Sequence, residues 1–412
     1  MTELIDRPAT DPPATDPARP ALPMARGCPF SPPAEYGRLR AEEPVARVNL
    51  PNGEWAWAVS RHEDVRTVLA DPRFSSDRTN PRFPMLVAGD RLDIDAPRPL
   101  ISMDPPEHGP ARRAVLGEFT VRRMQALEPR IQQIVDEAID ALLAGPRPAD
   151  LVRMVSLPVP SLVICELLGV PYADHEFFQQ RTGRLINRNS TPDERRTAFE
   201  DLQRYLDDLV AAKEADPGDD LLGRQVRKRR ADGTYDRPEL VSLAFLLLVA
   251  GHETTANMIS LGAVMLLRHP DQRDLLRADP ARTEGAVEEL LRYFTIADLA
   301  TSRVAVADVE VGGVLIRAGE GVLALGQAAD RDPDVFPDPD RFDVTRAARH
   351  HVAFGYGPHQ CLGQNLARME LRITVDTLLR RVPGLRLAVP AEELPFKDDS
   401  FVYGLHELPV TW

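Results

Sequence analysis

The segment Phe354-Gly355-Tyr356-Gly357-Pro358-His359-Gln360-Cys361-Leu362-Gly363 sets a cysteine between a glycine-rich approach and an apolar run with helical spacing, residues 366–379. Glycine permits positive φ and lets a flat object approach the backbone closely. The spacing places Cys361 just before or at a helix N-terminus, where unpaired N–H groups and the dipole favour a thiolate. A lone cysteine is usually a small buried hydrophobe. Here the flanking Phe354, the glycines and His359 favour a thiolate ligand instead.

Outward from this segment, the 412-residue chain is 43% hydrophobic, ample for a large core, and carries a net charge of −13. That charge disfavours nucleic acid and anionic membrane as partners. The longest apolar run, residues 243–250, falls short of the roughly 20 residues that span a bilayer. Residues 1–27 are rich in Pro, Ala and Asp and read as a flexible tail without a secretory signal. Three widely spaced cysteines, Cys28, Cys165 and Cys361, argue against a disulfide framework and fit a reducing, cytoplasmic setting.

Residues 45–50 and 54–59, joined through Asn52-Gly53, predict a β-hairpin. Most of residues 62–290 predicts helix, punctuated by Pro105-Pro106, Pro146, Pro148, Pro158, Pro160 and Pro270. Short strands are expected at 304–311 and 321–325, and a long Asp/Pro loop spans 330–343. The expectation is a mainly α fold with a minor β part, forming a single domain over residues 28–412.

Three further segments carry chemistry. Leu246-Leu247-Leu248-Val249-Ala250-Gly251-His252-Glu253-Thr254-Thr255-Ala256 is an apolar helix that abruptly offers small residues, an acid and two alcohols. A kink is expected there. A zinc HExxH site is excluded, because the second histidine position holds Ala256. Glu289 and Arg292 share one helix face. Asp104-Pro105-Pro106-Glu107-His108 opens a helix, with Arg112 four residues on.

The cysteine segment has the full FGxGxHxCxG form and resembles the haem-binding loop of the cytochrome P450 family, the haem-thiolate monooxygenases. The Gly251–Thr254 stretch resembles that family's AGxET motif, and the motifs occur in the family's order. The resemblance implies the cytochrome P450 fold, a helix-rich prism with small sheets, and haem b as cofactor. Cys361 would be the iron ligand, with Phe354 and Gly355 in the cofactor loop. Glu253 and Thr254 would deliver protons for dioxygen cleavage, and Thr255 would bond back to a helix carbonyl. Glu289, Arg292 and Arg341 would form a structural network. His108, Arg112, Arg303 and His359 would meet the haem propionates. The family's DPPEHxRxRR pattern loses its first arginine here, because Gly109-Pro110-Ala111 intervene.

By the same resemblance the substrate pocket would include Met85, Leu86, Val87, Leu185, Leu247, Ala250, Ile296, Asp298, Phe401 and Val402. Asp298 would be either a substrate contact or an exposed turn acid. Electrons would come from a ferredoxin and ferredoxin reductase, steered to Arg113, Arg346, Arg349, His350, Arg368 and Arg372. Cys28-Pro29-Phe30, the 71–78 region and Gly319-Glu320-Gly321 resemble a soluble actinobacterial subgroup acting on macrolides, steroid-like compounds and xenobiotics. The expected activity is insertion of one atom of O₂ into a medium-sized apolar small-molecule substrate by a monomer. An H₂O₂-dependent peroxygenase and a haem-based sensor are the rival readings.

Overall fold

The computed structural model describes residues 16–86 and 97–412. Helices α1 (Ala34–Glu42) and α2 (His62–Ala70) accompany the first strands. Then follow α3 (His108–Leu116), α4 (Val121–Ala144), α5 (Pro158–Leu168), α6 (His175–Ile186), α7 (Pro192–Ala215) and α8 (Leu221–Asp232). The centre is formed by α9 (Arg237–Gly251) and α10 (Glu253–Arg268), which are separated only at His252. Helices α11 (Pro270–Ala278), α12 (Thr283–Phe294), the short α13 (Gly326–Ala329) and α14 (Gln364–Arg381) complete the set. The expected mainly α fold with a minor β part is the one adopted.

Local chemistry explains several boundaries. Thr191 and Glu194 form a reciprocal capping box, with Pro192 at the first position of α7. Helix α5 stops at Gly169, whose φ of 71° favours glycine. In α4, Met124, Ile131, Ile134, Val135, Ala138, Ile139 and Leu142 are buried at helical spacing, facing α5 and α14.

The strands are β1 (Val45–Asn49), β2 (Trp55–Val59), β3 (Phe74–Ser75), β4 (Ala149–Asp150), β5 (Ser302–Ala305), β6 (Val309–Val311), β7 (Val314–Ile316), β8 (Gly321–Ala324), β9 (Arg386–Leu387) and β10 (Pro409–Thr411). The main sheet runs β1-β2-β8-β5-β3, with β4-β10-β9 and β6-β7 separate. The predicted hairpin forms, pairing Val45 with Val59 and Asn49 with Trp55. Within the sheet Arg303 pairs with Val322, which anchors that arginine on a central strand.

Two expectations change. Residues 16–27 are not a free tail: Leu22 is buried, its N–H donates to the Asn49 carbonyl, and Asn49 Nδ2 donates to the carbonyls of Asp16 and Arg19. The edge strand's unpaired groups give this proline-rich segment something to bind. Residues 1–15 lie outside the described residues. Secondly, Arg237–Arg268 is long and apolar enough by length and composition to cross a membrane. More than half of its most apolar window is buried within the protein, so this stretch serves as the core helix.

Candidate functional site

The cysteine loop is closed by the Cys361 N–H, which donates to the Phe354 carbonyl at 2.8 Å. Gly355 and Gly357 adopt φ of 70° and 71°. A Cβ on Gly357 would lie 2.8 Å from the Leu69 carbonyl oxygen, so only glycine lets the loop seat against α2. Helix α14 begins at Gln364, placing Cys361 just before it as the spacing predicted. The thiol is enclosed by protein yet reachable from a cavity of about 340 Å³. Burial pushes its pKa up, opposed by the Gly363 N–H and by Arg112 and Arg368. The helix terminus alone therefore does not make it a thiolate; a cationic partner at sulfur is needed.

Along one side of this cavity lie His108, Arg112, Arg303, His359 and Arg78. The two imidazoles are 4.0 Å apart, centroid to centroid. Burial first, then Arg303, His108, Arg112 and Arg78, push His359 down to about 3. Burial also lowers Arg303, to about 10. The nearby acid Asp104 is engaged with the Ser75 hydroxyl and, at 2.8 Å, with the Ser76 N–H. His108 Nε2 is buried without a hydrogen-bond partner. Such a wall fits an anionic group. Arg78 is the member that sequence reading left out of the site; its nearest signal was the quoted 71–78 region.

The opposite wall is the broken helix: Leu246, Leu247, Ala250, Gly251, Thr254, Thr255 and Met258 face the cavity. The expected kink falls at His252. There Nδ1 lies 2.9 Å from the Leu248 carbonyl, and Nε2 lies 2.8 Å from the Thr182 hydroxyl of α6. Burial lowers the His252 pKa. The Thr254 hydroxyl donates to the Ala250 carbonyl at 2.8 Å, and Thr255 to the Gly251 carbonyl at 3.4 Å. Back-bonding expected of Thr255 alone is thus shared by both threonines. Glu253 does not line the cavity; it is buried, and its carboxylate accepts from Lys397 Nζ at 3.2 Å.

The structural network forms with a different third member. Arg292 donates to both Glu289 oxygens at 2.7 and 2.8 Å and to the carbonyls of Asp330 and Pro339. Arg346, not Arg341, supplies the second guanidinium, 3.3 Å from Glu289. Arg341 is 68% exposed and contributes its carbonyl, which accepts from Arg346. The 330–343 loop folds back so that its far end meets α12, a pairing that spacing does not reveal. Beside it, Glu288 accepts from Arg368 at 2.6 Å and lies 3.0 Å from His351. Burial opposes its ionisation, but these partners hold it at about 2. Arg372 is likewise engaged with Glu128. Three arginines expected on a partner-steering face are therefore already paired with acids.

Of the expected pocket residues, Leu247, Ala250 and Ile296 line the cavity. Met85, Leu86, Leu185, Phe401 and Val402 do not. Leu86 and Phe401 pack in a second core beneath the sheet, and Leu185 and Val402 pack against the main core. Val87 lies outside the described residues. Asp298 is neither a pocket nor a surface acid. It is buried, accepts from Tyr36 Oη at 2.8 Å and from the Gln327 N–H at 2.7 Å, and burial raises its pKa to about 6. Its neighbours Ala297, Ala300 and Thr301 face the cavity instead.

Together these features test the fit of a haem. An enclosed thiol faces an apolar slot, a basic wall holds an orphaned imidazole nitrogen, and a broken helix presents alcohols opposite. That donor set suits a planar iron porphyrin with two carboxylate arms.

The Cytochrome P450 family pattern matches residues 176–409. The chain is 51% identical to Cytochrome P450 105A3 of Streptomyces carbophilus, covering all of both proteins. It is 50% identical to Vitamin D3 dihydroxylase of Streptomyces griseolus, over 98% of this chain and 99% of that protein. The crystal structure of cytochrome P450 MoxA from Nonomuraea recticatena, a CYP105 enzyme, superposes with a TM-score of 0.89 at 60% identity, covering 95% of this chain and 98% of that one. The chain belongs to the cytochrome P450 family. It is a haem b monooxygenase, with close CYP105 relatives that include enzymes of secondary metabolism.

Proposed function

We propose that this enzyme hydroxylates a medium-sized, largely apolar molecule of macrolide, steroid-like or xenobiotic type, with electrons from a ferredoxin and its reductase. One observation carries the reading: the apolar cavity places Cys361 on one wall and Thr254 on the other. Relatives of similar length include Vitamin D3 dihydroxylase and 20-oxo-5-O-mycaminosyltylactone 23-monooxygenase, and a structural neighbour, MycCI, was solved with mycinamicin VIII bound.

When bound, the haem supplies dioxygen activation and transfer of one oxygen atom to a C–H bond. The chain's residues do the rest. Cys361 provides the sulfur ligand, and Gly355 and Phe354 let the loop approach the ring face. His108, Arg112, Arg303, His359 and Arg78 neutralise the two carboxylates. Leu247, Ala250, Ile296 and Met258 exclude water and shape the substrate end. The Thr254 hydroxyl, freed from the Ala250 carbonyl, holds a proton at the cavity wall, and Glu253 replenishes it from the solvent side.

The test is a screen of purified haem-loaded protein against macrolides, secosteroids and apolar drugs for a high-spin shift of the haem spectrum. Hits are then assayed for hydroxylated product with a ferredoxin, its reductase, NADPH and O₂. Ligands that shift the spectrum but yield no product under O₂ would argue for a sensor. Product formed only with added H₂O₂ would argue for a peroxygenase.

A further inference from the structure

We infer that Lys397 is a positioning residue for Glu253: it holds the acid off the cavity, and the hairpin that carries it couples release to the α6–α7 connection. The inference rests on the proton-delivery reading of Glu253 given above.

Glu253 and Lys397 are 144 positions apart, yet Oε2 and Nζ are 3.2 Å from each other, with side-chain exposures of 7% and 15%. The next residue along α10, Thr254, lines the cavity while Glu253 does not. In this arrangement the carboxylate is parked in an ion pair and the hydroxyl is parked on Ala250. Neither group is turned to the reacting space. A desolvated pair of this kind resists separation by simple thermal motion, because each charge left alone in the interior is costly. Something must move Lys397 for the acid to serve.

Its placement is tightly specified. Phe396 bridges Leu405 in antiparallel fashion, and the Lys397 N–H donates to the Gly404 carbonyl at 2.9 Å. A Cβ at Gly404 would sit 2.0 Å from Asn257 Oδ1, so the hairpin lies backbone-on against α10, one turn beyond Glu253. The tip of the same hairpin is tied elsewhere. Asn187 bridges Ser400, the Phe401 N–H donates to the Ile186 carbonyl at 3.0 Å, and the Arg188 N–H donates to the Asp399 carbonyl at 2.7 Å. The Tyr403 N–H donates to the carbonyl of Ile296, a cavity residue. One short hairpin therefore touches the end of α6, the cavity wall and the buried acid. Displacement at either of the first two reaches Lys397 through backbone hydrogen bonds.

The haem-loaded protein tests this without a known substrate. Plant-type ferredoxin, its reductase and NADPH are supplied, and H₂O₂ release is measured; two electrons from ferredoxin and two protons from solvent convert O₂ to H₂O₂. Lys397→Met is expected to raise that release severalfold, Lys397→Arg to keep it at the wild-type level, and Glu253→Gln combined with Lys397→Met to remove the gain. Independently, hydrogen exchange at amides 396–405 and 186–190 of the resting protein should accelerate about tenfold or more in Lys397→Met. Unchanged peroxide release and exchange would overturn the inference, as would a peroxide gain that survives Glu253→Gln. Lys397→Gln is read alongside. Should neither it nor Lys397→Met hold haem while Lys397→Arg does, the pair is a folding contact and the positioning role is wrong. Glu253→Gln alone, assayed for product with a screened ligand, tests the underlying reading: unchanged turnover would remove Glu253 from proton delivery whatever Lys397 does.

Discussion

Arg292 grips Glu289 through two hydrogen bonds, of 2.7 and 2.8 Å, at a point where neither side chain meets solvent. The same guanidinium caps the carbonyls of Asp330 and Pro339. It thereby ties α12 to the long loop that leads into the cysteine segment.

Arg292→Ala should leave a buried carboxylate and two carbonyls unpaired, costing about 3–5 kcal/mol. Little haem-loaded protein should accumulate. Arg341→Ala, by contrast, should stay within ~0.5 kcal/mol of wild type, because its exposed guanidinium reaches only Asp343 at 3.9 Å. Thermal melting with haem quantification compares them; equal losses would mean that Arg341 does belong to the network.

Cys361→His should abolish the red-shifted Soret band of the reduced carbon-monoxide complex while retaining some haem on the basic wall. A variant keeping that band would refute Cys361 as the ligand.

The basic wall gives a third expectation. Arg112→Leu and Arg303→Leu should each weaken haem retention by at least about tenfold, since each removes a charge-assisted partner worth roughly 1.5–3 kcal/mol. Haem transfer to apomyoglobin measures the rate of loss. His108→Phe should also accelerate loss, because the ring stacked on His359 would remain but the orphaned Nε2 would be gone.

Asp298 predicts a pH effect. Its folded pKa of about 6 lies above the ordinary carboxylate value, so the folded chain binds more protons than the unfolded chain between about pH 4 and 6. Stability from this group therefore falls as pH rises through that window, by up to roughly 3 kcal/mol. Arg26 partly offsets the burial, and Asp330 adds to it. Asp298→Asn, which can still meet Tyr36 and the Gln327 N–H, should lack that fall. Denaturant unfolding at pH 4.5 and 6.5 gives the difference; identical pH slopes for both proteins would remove the burial argument.

Segments with strong local grammar were legible in advance. The Asn52-Gly53 turn, the kink at His252 and the start of α14 each follow from a few adjacent residues. So did most of the haem-facing set, because short motifs carry it. What sequence reading missed shares one cause. Arg346 replacing Arg341, Asp298 turning inward to Tyr36, Leu86 and Phe401 packing beneath the sheet, and residues 16–27 docking on β1 all depend on contacts between distant parts of the chain.

Cys361 and its loop needed only their neighbours to declare themselves, since positive φ, a tight backbone approach and a helix start are local properties. Whether that sulfur ionises unaided was settled by the folded surroundings, where burial outweighs the helix terminus. The Glu253–Lys397 pair belongs wholly to the tertiary level: a charge finds its partner across 144 positions only when two elements pack, and desolvation there makes the pairing matter.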